Sequence, residues 1–227
     1  MPRTLDPAAH AVRRDAFVDA AERLIDTKGY QQLSVQEVLD ALGASKGAFY
    51  HYFDSKAALL EAVVDRMADD ALETVASLVA DPNVPALAKL QGVFGGIARF
   101  KADRRELVLA VLDVWLSDDN AIVREKLRRI VVTRMVPVLA AILRQGAAEG
   151  MAPASTPEDT ARVVASLIQG ASDTAVELYV ARQAGTVSFA VVERTLGAYA
   201  AAFERILGLP AGSLAFLSGE TLHPWYD

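Results

Sequence analysis

The sequence predicts an all-α protein in which a small N-terminal three-helix domain is joined to a larger helical domain. Apolar residues recur at three- and four-residue spacing along nearly all of the 227 residues, and β-branched alternation is scarce. Hydrophobic residues make up 52% of the chain, which is enough apolar material for a buried core. Cysteine is absent, so disulfide scaffolds, thiolate metal sites and cysteine nucleophiles are excluded.

The first helices have clear start and stop signals. An apolar stripe over 17–25 ends at Lys28-Gly29, where glycine suits the left-handed residue that follows a helix. Ser34 and Glu37 then match a capping box, which predicts a short helix to about Leu42.

A second short helix follows after a tight turn. Gly43 breaks the preceding helix, and Ser45 is a suitable N-cap for a helix that ends near Phe53. Two short helices separated by a glycine turn are typical of a helix-turn-helix. A long apolar stripe then begins after Asp54-Ser55 and runs to a rigid break at 81–85.

The rest of the chain predicts further helices and a short tail. We place these helices at 85–101, 103–117, 119–149, 157–184 and 187–207. Pro137 lies inside the third of them and predicts a kink or a break there. The predicted domains are a helix-turn-helix domain at 1–56 and a helical domain at 57–210, followed by a tail at 211–227. The tail is expected to be loose, and the alternative is that Trp225-Tyr226 docks on the helical body or on a partner.

The second short helix has an outer face that folding does not explain. Phe49 and Phe53 lie four residues apart and are predicted to pack inward. The side chains left on other faces are Lys46, Ala48, Tyr50, His51 and Tyr52. Their donors and rings suit phosphate oxygens and base edges of nucleic acid. Gly47 in the first helical turn costs about 1 kcal/mol relative to alanine, and close approach to a ligand backbone would explain that cost.

Lys56 is a second anomaly, because it lies at the start of the next predicted helix. The helix macrodipole disfavours a cation there by a few tenths of a kcal/mol. A phosphate held jointly by Lys56 and the helix N-terminus would reverse the sign of that interaction. The alternative is a solvated lysine that tolerates a small penalty.

These motifs resemble the tetracycline-repressor (TetR) family of bacterial transcriptional regulators. The resemblance is carried by Ser34–Val38, Gly43–Phe53 and Lys56–Leu60, and it covers roughly residues 10–60. Beyond that segment only the layout matches, with a long connecting helix and a helical domain of fitting length. The resemblance implies that the N-terminal turn of the second short helix faces the bases of DNA, and that Ser34 and Lys56 hold the backbone. The implied DNA-binding residues are Ser34, Ser45, Lys46, Gly47, Ala48, Tyr50, His51, Tyr52 and Lys56.

The charge balance favours a local basic surface over general attraction to nucleic acid. The net charge of the chain is −6, and residues 1–60 contain seven Lys/Arg and eight Asp/Glu, a net of −1. The cations expected to face DNA are Arg13, Arg14, Lys46 and Lys56. Arg3 either reaches the minor groove from an N-terminal arm or belongs to a solvated tail.

Other chemical motifs are weaker. Gly43–Gly47 matches the G-x-S-x-G nucleophile elbow, but that motif needs a preceding strand, and 38–42 is predicted to be helical. Gly92 and Gly96 form a G-x-x-x-G pattern, which indicates close helix packing here because Arg99 and Lys101 follow soon after. We therefore expect neither an enzyme nor a bound metal or cofactor.

The last two long helices carry apolar seams that suit a four-helix dimer interface, as the family resemblance implies. The seam residues are Val164, Leu167, Ala171, Leu178, Phe189, Val192, Leu196, Tyr199 and Phe203. The alternative is that these seams form an intramolecular core.

Polar and aromatic residues within apolar runs are candidates for a ligand pocket. They are Phe94, Asp113, Trp115, Met135, Gln169, Asp173 and Tyr179. The alternatives are an ion pair for Asp113, with Arg99 or Arg128, and ordinary core packing for the rest.

The expected function is that of a cytoplasmic homodimeric repressor, which a small-molecule ligand releases from a palindromic DNA operator. The alternatives are an activator or ligand-independent regulator on the same scaffold, and a helical ligand carrier with a vestigial DNA-binding head. No membrane partner is expected, because the longest charge-free run, 206–219, falls short of the roughly 18 residues a membrane helix needs.

Overall fold

The computed structural model describes residues 7–116, 121–151, 156–214 and 219–226, and within them every regular element is a helix. In chain order the helices are α1 (Pro7–Lys28), α2 (Val35–Leu42), α3 (Lys46–Tyr52), α4 (Lys56–Ala80), α5 (Ala86–Asp103), α6 (Arg105–Leu116), α7 (Ala121–Ala148), α8 (Pro157–Gln183), α9 (Phe189–Leu207) and α10 (Gly219–Tyr226). The predicted all-α fold is confirmed, and the helix bounds agree with the sequence patterns to within a few residues.

The structure bears on two expectations about the course of the chain. Of the kink or break predicted at Pro137, the break is absent, because α7 continues through this residue as a 28-residue helix. In the tail the structure shows the docked alternative and not the loose one, because α10 packs on α8 and α9, where Leu222 and Tyr226 are buried. The hydroxyl of Tyr226 donates a hydrogen bond to the Ala175 carbonyl at 2.8 Å, and this bond anchors the new helix.

The chain forms two compact units, and the first contains the helix-turn-helix. It comprises the residues up to Ala68 together with Arg104–Ile130. Its core is built around side chains that are almost wholly buried, such as Phe17, Phe49, Leu59 and Leu107. Because α6 supplies Leu107 and packs along α1, this unit is larger than the 1–56 segment that carries the motif.

The second unit comprises Asp69–Asp103 and the residues from Val131 onward. Its helices α4 and α5 approach closely at Gly96, where an added Cβ would lie 2.5 Å from Cγ1 of Val75. This agrees with the close packing predicted from the G-x-x-x-G pattern. Lys89 is buried on α5, and its ammonium donates to the Val79 carbonyl and to Oε1 of Gln145, both at 2.7 Å.

One helix has a membrane-like composition. The stretch Arg124–Ala148 of α7 is long and apolar enough to cross a bilayer by length and composition alone. Its side chains Met135, Leu139 and Ile142 are buried in the core of the second unit.

Candidate nucleic-acid interface

The turn between α2 and α3 is fixed by backbone hydrogen bonds and a serine cap. Gly43 adopts a left-handed conformation (φ 57°) that ends α2, and the N–H of Ala44 donates to the Leu39 carbonyl at 2.9 Å. Oγ of Ser45 then accepts the N–H of Ala48 at 3.2 Å and begins α3. Since a helix rather than a strand precedes Ser45, the segment is not a nucleophile elbow.

The inner face of α3 is the one that the sequence predicts. Phe49 and Phe53 are buried, and the ring of Phe49 lies edge-on to Phe17 of α1 with centroids 5.8 Å apart. Arg14 of α1 places its guanidinium 5.2 Å from the centre of the Phe53 ring, so this half-buried cation packs on α3.

The outer face of α3 carries the exposed side chains. We call Lys46, Gly47, Tyr50 and His51 the recognition surface, because all four are exposed. Tyr50 keeps 49% of its surface, which is unusual for a large aromatic residue. A Cβ on Gly47 would meet only Oγ of Ser45, at 4.0 Å, so nothing in the fold requires glycine there. The surface offers donors, a ring and an open approach to the backbone, which are the groups that bind a DNA groove.

Two residues predicted on the outer faces of α3 are half-buried instead. Ala48 and Tyr52 pack against the core of the first unit, with the Tyr52 ring 5.7 Å from Phe17. The reason is helical spacing, because Tyr52 follows Phe49 by three residues and so lies at the edge of the inner face.

Ser34 is engaged in the capping box that the sequence predicts. Its hydroxyl donates to the Glu37 carboxylate at 2.6 Å, and its Oγ accepts the N–H of Glu37 at 3.3 Å. Lys28 forms an ion pair with the same carboxylate. The hydrogen bond from Lys28, followed by those from Ser34, lowers the pKa of Glu37 to about 2. A phosphate at Ser34 would therefore meet a hydroxyl already committed to a carboxylate.

Lys56 has partners inside the first unit, whereas the sequence suggests either a phosphate contact or a solvated side chain. Its ammonium donates to the Gln31 carbonyl at 3.3 Å and lies 4.2 Å from the centre of the Tyr30 ring. Partial burial, and then the nearby charge of Lys28, lower the pKa of Lys56. The side chain is half-buried, so it ties the start of α4 to the α1–α2 connection.

Sequence reasoning missed His10, which the fold brings beside α3. The His10 ring centroid lies 4.6 Å from that of Tyr52 and 5.4 Å from that of His51. The spacing on α1 could have indicated this residue, because intervals of four and three place His10, Arg14 and Phe17 on one face of the helix. In the structure all three contact rings of α3 or of its C-cap residue.

The predicted pocket residues are distributed over several environments. Phe94 and Met135 are buried in the larger core cluster of the second unit, whereas Tyr179 lies beside Tyr226 in the smaller one. On α8 the Gln169 amide donates to Asp173 at 3.3 Å. The side chains of Asp113 and Trp115, and Arg3 as a whole, lie outside the described residues.

Much of the predicted dimer seam is core within a single chain. The buried members are Val164, Ala171, Val192, Leu196 and Phe203. The three- and four-residue spacing selects the stripe that α8 and α9 turn toward each other and toward the core, so these five side chains pack within the chain. Leu178 and Phe189 pack beside α10, while Leu167 and Tyr199 are half-buried.

Comparisons with known proteins agree with this geometry. The family model described as "Bacterial regulatory proteins, tetR family" matches residues 17–63. The transcriptional regulator BetI of Rhizobium meliloti is 30% identical over 167 residues, which are 70% of this chain and 75% of BetI. The transcriptional repressor DhaR of a Mycobacterium species is 30% identical over 52% of this chain and 59% of DhaR.

Solved structures share the fold at lower identity. A TetR regulator from Haloarcula marismortui is 20% identical with a TM-score of 0.61, over 87% of this chain and 97% of that one. A complex of SmeT with triclosan is 17% identical with a TM-score of 0.58, over 89% and 94% of the two chains. The BetI relative, 30% identical over three quarters of its length, and the match of the family model to the helix-turn-helix show that the chain belongs to the TetR family of bacterial regulatory proteins.

Proposed function

We propose that the protein is a homodimeric repressor that acts in the cytoplasm and leaves a palindromic operator when a small molecule binds. The observation that carries the proposal is the recognition surface of α3. Its four residues, Lys46, Gly47, Tyr50 and His51, are exposed, while Phe49 on the opposite face of the helix is buried in the core. Helix-turn-helix proteins insert such a helix into the major groove with its N-terminal residues against base edges.

A palindromic operator has two identical half-sites, so two copies of α3 are needed to read it. Two copies on a palindrome need centres about 34–36 Å apart, or a multiple of that distance. Val163 on α8 keeps 50% of its surface and Ile206 on α9 keeps 41%, and Leu167 and Tyr199 are only half-buried. We assign these four side chains to the dimer interface, in place of the buried members of the predicted seam.

Ligand release is supported by the path of the chain and by the relatives. α4 and α7 each begin in the first unit and end in the second, so a rearrangement in one unit reaches the other along two helices. DhaR is named a repressor, and the SmeT structure contains triclosan. A ligand that prefers one conformation shifts the population toward it, limited by its difference in affinity for the two. The predicted pocket residues that lie in the second unit, Phe94, Met135, Gln169, Asp173 and Tyr179, remain candidates for that ligand.

Selection of genomic fragments by the purified protein, followed by affinity measurements on the selected duplex, tests DNA recognition. Lys46→Ala is expected to weaken binding and relax the choice of sequence, whereas Lys56→Ala should weaken all duplexes about equally. Arg162→Ala on α8 removes the same charge from the second unit and serves as the control. If Lys46→Ala and Arg162→Ala behave alike, the recognition surface is wrongly placed.

Sedimentation of charge variants tests the proposed dimer interface. Val163→Glu combined with Ile206→Glu should give monomers at concentrations where the wild-type protein is dimeric, because two buried carboxylates would lack partners. Val12→Glu on α1 replaces a valine that is 71% exposed and should leave the dimer intact. A dimer that survives the double change contradicts the assignment.

A further inference from the structure

α3 is too short to hold its own conformation. It has seven residues, and isolated helices of fewer than about 12 residues are marginal in water. Its orientation therefore depends on the side chains that pack against it.

The contacts of α1 with α3 form a stripe that ends at His10. Phe17 contacts Phe49 and Tyr52 from the core, and Arg14 covers the Phe53 ring. His10, one turn earlier, contacts Tyr52 from the solvent side. Tyr52 thus lies between a buried phenylalanine and a half-buried imidazole.

The same imidazole also contacts the recognition surface. His10 meets the His51 ring edge-on at a centroid distance of 5.4 Å, and His51 is edge-on to Tyr52 at 5.0 Å. The three rings contact one another in pairs, so the orientation of the exposed His51 is set by two neighbours and not by the core.

We propose that His10 is a positioning residue for DNA recognition: its ring fixes Tyr52 and His51 at the C-terminal end of α3. The proposal rests on the proposed DNA-binding function and extends the interface to a residue outside the helix-turn-helix. His10 acts through the other two rings, so a flat ring is required at this position and a hydrogen-bond donor is not.

The experiment compares His10→Ala, His10→Phe and His10→Gln on the full chain, using a duplex selected by the wild-type protein and a scrambled duplex of equal length. His10→Ala is expected to weaken operator binding about tenfold, because Tyr52 and His51 are then no longer held in one orientation. Binding to the scrambled duplex should change little, and the thermal midpoint should fall by only a few degrees from the loss of two aromatic contacts. His10→Phe should restore operator affinity to within about twofold, and His10→Gln should not.

Three outcomes overturn the proposal. Unchanged operator affinity in His10→Ala shows that the ring is dispensable. Rescue by glutamine but not by phenylalanine shows a direct contact with the DNA backbone, and equal losses on both duplexes with a lower thermal midpoint show a purely structural role. If the wild-type protein selects no fragment at all, the proposed DNA function fails first and this inference fails with it.

Discussion

The outer face of α3 and the contact between α8 and α9 both carry aromatic side chains, but they use them differently. Tyr50 on α3 is 49% exposed. Tyr199 on α9 is half-buried, and its hydroxyl forms a 2.9 Å hydrogen bond with Oγ1 of Thr174 on α8. The ring of Tyr50 is left open for a partner, whereas the hydroxyl of Tyr199 is used within the chain and only the exposed part of that side chain is left for the proposed dimer.

This difference explains which functional residues can be predicted from a sequence. On α3, polar and aromatic residues occupy positions where the core requires no apolar side chain. On α8 and α9, the residues chosen for a function follow the apolar pattern, and residues of that kind serve a core and an interface equally well.

The sharpest test of the comparison uses two neighbours on α3. Phe49→Ala removes a wholly buried ring and should lower the free energy of unfolding by about 3–5 kcal/mol. Tyr50→Ala removes a half-exposed ring that contacts the Phe49 ring edge-on, so it should cost about 1 kcal/mol and should weaken binding to a selected duplex. Urea unfolding measures the first effect and fluorescence anisotropy the second. A large loss of stability in Tyr50→Ala would contradict the division between the two faces of α3.

A smaller effect on stability is expected from substitutions at two neighbouring glycines of α5, Gly95 and Gly96. Gly96→Ala places a Cβ against Val75, a buried and β-branched side chain, and should cost about 1–3 kcal/mol. Gly95→Ala meets only the end of the flexible Arg99 side chain, at 3.4 Å, and should stabilise the helix by up to about 1 kcal/mol. Thermal unfolding should therefore shift in opposite directions for the two variants, and equal shifts would exclude close packing at Gly96.

The smallest effect concerns the anchor of α10. Tyr226→Phe removes the hydrogen bond to the Ala175 carbonyl and should cost about 1 kcal/mol at neutral pH. Burial raises the pKa of Tyr226 to about 12. The Tyr226 hydroxyl therefore makes its full contribution to the free energy of unfolding below pH 10, where Tyr226 is protonated in both the folded and the unfolded chain. That contribution is lost as the pH rises toward 12.

The difference in stability between the wild type and Tyr226→Phe isolates this pH dependence from that of other groups. The advantage of the wild type should shrink between pH 10 and pH 12. A difference that stays constant over this range would show that Tyr226 is not protonated preferentially in the folded state.

Much of the fold could be predicted from local signals. The caps at Ser34 and Ser45 and the left-handed Gly43 lie where the residue types require them, because each satisfies a helix end within a few residues. The docking of α10 could not be predicted in this way. It depends on a contact between Tyr226 and Ala175, which are far apart in the chain.

The residues of the candidate site also fall into those that local sequence predicts and those that only the packing of helices reveals. Lys46, Gly47, Tyr50 and His51 stand out because they deviate from the helical apolar pattern, and the structure leaves them exposed. His10 becomes visible only when α1 is packed on α3, since its partner rings lie some 40 residues away.

The salt dependence of affinity for a selected duplex tests whether two copies of α3 bind one operator. If a dimer neutralises about six phosphates, the logarithm of the association constant should fall against the logarithm of salt concentration with a slope of about −5. Measured between about 50 and 200 mM salt, that slope would support two copies of α3 on one operator. A slope near zero, or no binding to any selected duplex at the lowest salt, would contradict the account.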